Sequence, residues 1–169
     1  MQLINVDKAL YRKNLNIVIG GFIATLLVLA LAFGQLLIIN LAEQGVNNFR
    51  YNLLGVVLSL LACAAILHSV KKSPFFNEVY YVWQLKQLEN SIYRKLAKIK
   101  LAAKNDEENA LIILLYYYQS LKLVYLLDDN TLTLSKVDKD ITDIQEKIAS
   151  KNLTLTAEQF DKSLLRAYR

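Results

Sequence analysis

The chain has 169 residues, a formal net charge of +5, one cysteine and one histidine. A single Cys63 and a single His68 leave no disulfide framework, no CxxC pair and no histidine-rich metal cluster. Gly20, Gly21, Gly34, Gly45 and Gly55 are the only glycines, so no glycine-rich phosphate loop of the mononucleotide or dinucleotide type is encoded beyond position 55.

Residues 1–14 carry Lys8, Arg12 and Lys13 and read as a cytoplasmic N-terminal segment. Residues 15–39 (LNIVIGGFIATLLVLALAFGQLLII) hold no charge. About 20 apolar residues cross a hydrocarbon layer, so this run predicts a first transmembrane helix. Its apolar stretch is too long for a secretory leader, and no small-x-small site follows it, so it reads as a retained anchor. Residues 40–50 form a short external loop, and residues 51–70 (YNLLGVVLSLLACAAILHSV) a second uncharged span. Between the spans the only basic residue is Arg50, whereas residues 71–104 hold eight. The positive-inside bias therefore places both termini in the cytoplasm. Gly55, Ser59 and Cys63 recur every four residues and face the spacing Ala30-x-x-x-Gly34 on the first span. Small side chains let helices approach closely in lipid, so these five residues predict a packing seam, within one hairpin or between copies.

Residues 71–169 read as a cytoplasmic helical domain, with no glycine and Pro74 as their only proline. Lys71 and Lys72 stop the second span, and Ser73-Pro74 has the form of a helix start. Phe75, Phe76, Tyr80, Tyr81 and Trp83 follow within two and a half turns, forming with the lysines an expected collar at headgroup depth. Tyr81, Leu85, Leu88, Ile92, Leu96, Ile99 and Ala103 step by three and four, one face of a helix. With no breaker before Asn105-Asp106, that helix is expected to run about 30 residues, about 45 Å, away from the membrane. Residues 110–127 (ALIILLYYYQSLKLVYLL) are apolar nearly all round and read either as a third span or as a central buried helix. The central tyrosines and Lys122 weigh against a span, because an ammonium in hydrocarbon costs about 2.5–3.5 kcal/mol. Ser135 is expected to cap the next helix with Asp138 in the reciprocal position, and Leu134, Val137, Ile141, Ile144 and Ile148 form its seam. Thr156 and Gln159 make a capping box for a last helix with Phe160, Leu164 and Leu165 on its apolar side. The expected fold is all-α: a two-helix transmembrane hairpin followed by a bundle of about four helices.

Chemistry is sparse. Residues 71–104 carry a net +6 and residues 105–169 a net −3. Positive-inside flanking and anionic lipid account for the basic part, and no nucleic-acid partner is expected. Asp128-Asp129-Asn130 lacks the glycine that a calcium loop requires and reads as helix capping. His68 reads as a polar ring reaching the interface, and nothing gathers a nucleophile, base or metal. No catalytic residue, cofactor or metal is expected. Leu85, Leu88, Ile92, Tyr116, Tyr117 and Tyr118 are the candidate protein interface. The protein is expected to be a non-enzymatic interaction, scaffold or assembly component that contacts membrane lipid and a second copy or another protein. The alternative is a subunit of a small oligomeric channel or transporter.

Several segments carry a family resemblance: Asp7-Lys8-Ala9-Leu10-Tyr11-Arg12, Asn52-Leu53-x-Gly55-Val56, Pro74-Phe75, Glu78-Val79-x-Tyr81-Val82-Trp83, Ile92-Tyr93-Arg94-Lys95 and Leu127-Asp128-Asp129-Asn130. In these the chain resembles an uncharacterised family of small gammaproteobacterial inner-membrane proteins, a domain of unknown function. The resemblance implies a bacterial inner membrane and assigns no residue a role.

Overall fold

The structure is a computed structural model describing residues 1–43 and 47–168. Among these residues there is no strand. Six α-helices follow in order: α1 (Lys8–Leu41), α2 (Phe49–Val70), α3 (Asn77–Tyr93), α4 (Leu96–Lys104), α5 (Glu108–Leu127) and α6 (Leu134–Ser150). Short 3-10 turns cover Pro74–Phe76, Ala157–Gln159 and Lys162–Ala167. The chain divides into a hairpin unit, Ala9–Tyr80, and a helical unit that joins Met1–Lys8 to the residues from Tyr81 onward.

In the hairpin unit, α1 and α2 are apolar on every side, and their aliphatic side chains stay outside. Leu31 is 76% exposed and Leu61 64%. Gly34, Gly55, Ser59 and Cys63 are buried. The small residues thus form the intramolecular seam, and the Ser59 hydroxyl donates back to the Gly55 carbonyl at 2.7 Å. The expected loop 40–50 is closed at its described ends by the Tyr51 hydroxyl, which donates to the Leu41 carbonyl at 2.6 Å; residues 44–46 lie outside the described residues. α1 begins before the uncharged run 15–39, because residues 8–14 hold no proline or glycine to break it.

The helical unit is organised around α5. Ala110 to Tyr118 are buried without a break, and α4, α6 and the two C-terminal turns pack on the helix. Three helices are long and apolar enough to cross a membrane, but their environments differ sharply. The apolar window of α5 is 67% buried by its own unit, against 6% for α1 and 17% for α2. Of the two expectations for residues 110–127, the central buried helix matches this packing.

Turns in this glycine-free unit use aspartate and asparagine. Asp106, Asp129 and Asn152 have φ of 62°, 56° and 54°, directly after α4, α5 and α6. After α6, the Leu153 N–H reaches the Ile148 carbonyl at 3.1 Å and the Asn152 N–H reaches Ala149 at 3.0 Å. That 6→1 and 5→2 pattern is a Schellman motif, and short polar side chains tolerate its left-handed residue better than others.

Several local expectations need correction. The single helix of about 30 residues is broken: Pro74–Phe76 is a 3-10 turn, and α3 and α4 are parted at Arg94-Lys95. There the Lys95 N–H bonds Ile92 at 2.9 Å, three residues back, while its ammonium donates to the Leu165 carbonyl at 2.7 Å. The backbone tightens where the C-terminal turn is tied in, and no proline or glycine marks the place. Ser73 stands at the N-cap position before Pro74, but its side chain makes no capping hydrogen bond. Ser135 lies inside α6, whose N-cap is Thr133, and Asp138 pairs with Lys122 at 2.7 Å. The capping box does form, with Gln159 Oε1 accepting from the Thr156 N–H at 2.9 Å, yet it opens 3-10 turns in place of an α-helix.

Candidate functional site

The six residues expected to face a protein partner are all inside the helical unit. Leu85 and Ile92 are fully buried, and Leu88, Tyr116, Tyr117 and Tyr118 are within a few per cent of it. The apolar stripe on α3 is therefore the unit's own core face, and so is α5. Tyr116 stacks on Phe160 with ring centroids 4.0 Å apart. A surface offered to a partner must lie elsewhere, and Trp83, Tyr93 and Leu101 are the large apolar side chains of α3 and α4 that remain exposed.

The seven collar residues divide between the two units. Lys71, Lys72, Phe75, Phe76 and Tyr80 belong to the hairpin unit, whereas Tyr81 and Trp83 belong to the helical unit. In the hairpin unit, the buried Asn14 amide donates to the Phe75 carbonyl at 3.0 Å and holds the Pro74–Phe76 turn against α1. The rings of Phe75 and Phe76 meet edge to face at 5.5 Å. The Lys71 ammonium lies 3.0 Å from His68 Nδ1 and 6.0 Å from the Tyr80 ring centre.

Tyr81 is half-buried and bonded to the N-terminal segment. Its hydroxyl accepts from the Ile4 N–H and donates to the Gln2 carbonyl, each at 3.0 Å, clasping the N-terminal segment from both sides. Burial raises the pKa of Tyr81, the Ile4 N–H draws it down, and the charge of Glu89 raises it again. Leu3 packs on the core, Val6 is buried, and Lys8 pairs with Asp129. The first eight residues are thus an integral strap of the helical unit.

Beneath that strap lies a polar cluster. Glu89 is buried, and its Oε1 has no hydrogen-bond partner; the Tyr116 hydroxyl is in the same condition. Burial pushes the Glu89 carboxyl up to about 7, Ser120 and Lys86 pull it down, and Asp128 pushes it up further. Ser120 has one proton. Its hydroxyl donates to the Tyr117 carbonyl at 2.8 Å, an arrangement that leaves it an acceptor for a protonated Glu89. Turned toward Glu89 instead, the same proton favours the carboxylate. Lys86, three residues before Glu89, pairs with Asp128 at 2.6 Å. Burial raises Tyr116 well above the ordinary phenol value, with the charges of Tyr81 and Glu89 adding to the effect. Burial likewise pushes Tyr117 and Tyr118 up to about 12.

Sequence reasoning missed Glu89, although a signal was present. Val82, Leu85, Glu89 and Ile92 step by three, four and three, and all four are buried. A carboxylate inside an apolar 3-4-3 series marks either an error of register or a buried acid. Chemically, the cluster can hold and release one proton near neutrality. Among the described residues, no three His, Cys, Asp or Glu side chains gather closely enough to hold a metal ion.

The sequence pattern of the family described as "Protein of unknown function (DUF3087)" matches residues 1–165. The chain belongs to this family. Comparison with curated proteins and with solved structures returns no match. The family's pattern thus covers the strap, the hairpin and nearly all of the helical unit, so the division into two units lies within one family domain.

Proposed function

We propose that this member of the family is a two-span membrane protein whose strap and helical unit share the cytoplasmic side of a bacterial inner membrane. One observation carries the reading: the Tyr81 hydroxyl clasps Ile4 and Gln2. Residues 2–4 and Tyr81 stand on opposite sides of the hairpin in sequence. If they pack together in water, the chain between them crosses a bilayer an even number of times. The apolar, outward-facing α1 and α2 supply two crossings, and the lysine bias assigns the side.

In this reading the helical unit is a non-enzymatic interaction module held at the membrane surface, binding another protein or a second copy through what its core leaves exposed. Trp83, Tyr93 and Leu101 are the aromatic and aliphatic anchors such a surface would use. A channel built from oligomerised hairpins has less support, since Gly34, Gly55 and Cys63 are buried in the seam and the Ser59 hydroxyl is turned onto its own helix. Photo-crosslinking groups placed at Trp83 and Tyr93 in intact membranes, followed by mass spectrometry, test the module. A reproducible protein adduct at either position supports it, and adducts with lipid alone at both would sink it. Labelling of single cysteines near both termini tests the topology: protection from impermeant reagent in intact cells is expected at both, and exposure at one overturns it.

A further inference from the structure

The hairpin unit contains an open-sided apolar cavity of ≈ 200 Å³ bordered by α1, α2 and the Pro74–Phe76 turn. We propose that it seats an acyl chain of an anionic phospholipid from the surrounding bilayer, an inference that rests on the membrane reading above. Its walls are aliphatic side chains of both helices, its base is Phe75 and Phe76, and Thr25 and Cys63 bring the only side-chain heteroatoms. Ordered water needs about two to four polar partners, which such a lining does not offer, so its open side favours hydrocarbon over water. The shape is built in. Gly21 lines the cavity, and a Cβ placed there meets nothing within 4 Å. The Asn14 amide fixes the Phe75 carbonyl and so holds the aromatic base in position.

Charge selects the occupant. On α1, Lys13 stands one turn before Ile17, which lines the cavity; on α2, Lys71 directly follows Val70, which also lines it. Lys72 is exposed beside them. Both helices therefore place ammonium groups at the same end of the cavity, where a phosphate headgroup would lie if its chain entered. A second copy of the hairpin, inserted in the same orientation, would bring like charges to that end, so a lipid fits better than self-association.

The test is native mass spectrometry of the full chain from vesicles of phosphatidylethanolamine and phosphatidylglycerol, after exchange into mild detergent. Retention of one phosphatidylglycerol per chain is expected. Gly21→Leu sends a side chain from a Cβ that meets nothing within 4 Å into the cavity, and should lower retention about tenfold with helicity and melting unchanged. The double substitution Lys13→Gln and Lys72→Gln should keep a bound lipid but abolish the preference for phosphatidylglycerol. Equal retention by Gly21→Leu overturns the proposal, as does a dimer in place of the lipid-bound monomer. Flotation of the chain with vesicles separates the two readings. A floating chain that retains no lipid defeats this proposal alone, and a chain that does not float defeats the membrane reading with it.

Discussion

Gly55 and Gly34 meet backbone to backbone: a Cβ added to Gly55 would stand 2.6 Å from the Gly34 nitrogen and 2.8 Å from its Cα. No side chain can turn aside to relieve that contact, so α1 and α2 would have to separate. Gly55→Ala should lower hairpin stability in detergent by about 1–3 kcal/mol, the range for overpacked sites. Gly20→Ala is the control, because its Cβ meets nothing within 4 Å. Thermal melts of the two variants side by side check the prediction; equal melting would refute the seam.

Glu89 sets a pH dependence whose sign is opposite to that of a salt-bridged acid. Its carboxyl is raised from the ordinary 4.5 to about 7 in the folded chain, chiefly by burial. Between those values the folded state binds more protons than the unfolded state, so stability falls as pH rises through this window and levels off above 7. The shift corresponds to on the order of 3 kcal/mol at full ionisation. Glu89→Gln should remove this slope and raise the melting temperature at pH 8. Denaturant titrations at pH 5 and pH 8 measure it, and an unchanged slope in the variant would show that Glu89 is not the titrating group.

Tyr81→Phe should free the strap while leaving the core packed. The hydroxyl makes two hydrogen bonds to the backbone of residues 2 and 4, each worth about 1 kcal/mol net. Hydrogen exchange at the Ile4 amide should accelerate, and protease should reach the first eight residues sooner. If Ile4 stays protected, the clasp is not what holds the strap.

Lys147 and Lys151 both pair with Asp106, at 2.9 and 2.6 Å, and Lys147 also reaches the α4 carbonyls of Ala103 and Lys104. These pairs depress the Asp106 pKa, first through the hydrogen bond from Lys151 and then through that from Lys147. Their contribution is present above the ordinary carboxyl range and is lost as pH falls through the lowered value. Lys151→Met should therefore weaken the unit at neutral pH and have no effect in strong acid. Lys147→Met should remain harmful at both, because the carbonyl contacts do not titrate. Melting curves at pH 7 and pH 2 distinguish the two.

Asn152 occupies a left-handed position with φ 54°. Asn152→Gly should be neutral or stabilising, while Asn152→Val should cost about 1–2 kcal/mol. The two variants differ in sign at one site, so chemical denaturation of both is decisive.

Much of this fold was legible. Charge-free runs marked α1 and α2, and the four-residue spacing of Gly55, Ser59 and Cys63 marked the seam. The α3 stripe marked a buried face, but periodicity cannot say whether a face is buried by its own chain or by a partner, and here Leu85, Leu88 and Ile92 belong to the core. The break at Lys95 was hidden because no proline or glycine marks it and the contact found there, with the Leu165 carbonyl, lies seventy residues away. The stops at Asn105-Asp106 and Asp128-Asp129-Asn130 were read, but the turn at Asn152 and the left-handed φ of all three were hidden, because aspartate and asparagine replace the glycine one looks for. Glu89 was overlooked because a charged residue in a helix is counted as solvent-facing until its neighbours at 82, 85 and 92 are counted with it.

The strap makes the hairpin an insertion. Residues 1–8 and the residues from Tyr81 onward are one structural unit, with Ala9–Tyr80 looped out between them. The helical unit is consequently assembled from two pieces of chain made far apart in time. Residues 1–8 are synthesised before either span and have no docking site until Tyr81, α5 and Asp129 have emerged. In the proposed membrane reading, the hairpin is inserted while the helical unit is still incomplete, and the strap closes only afterward. A version cut before residue 9 would lose part of the helical unit, whereas joining Lys8 to Tyr81 through a short linker would keep the unit whole without its anchor.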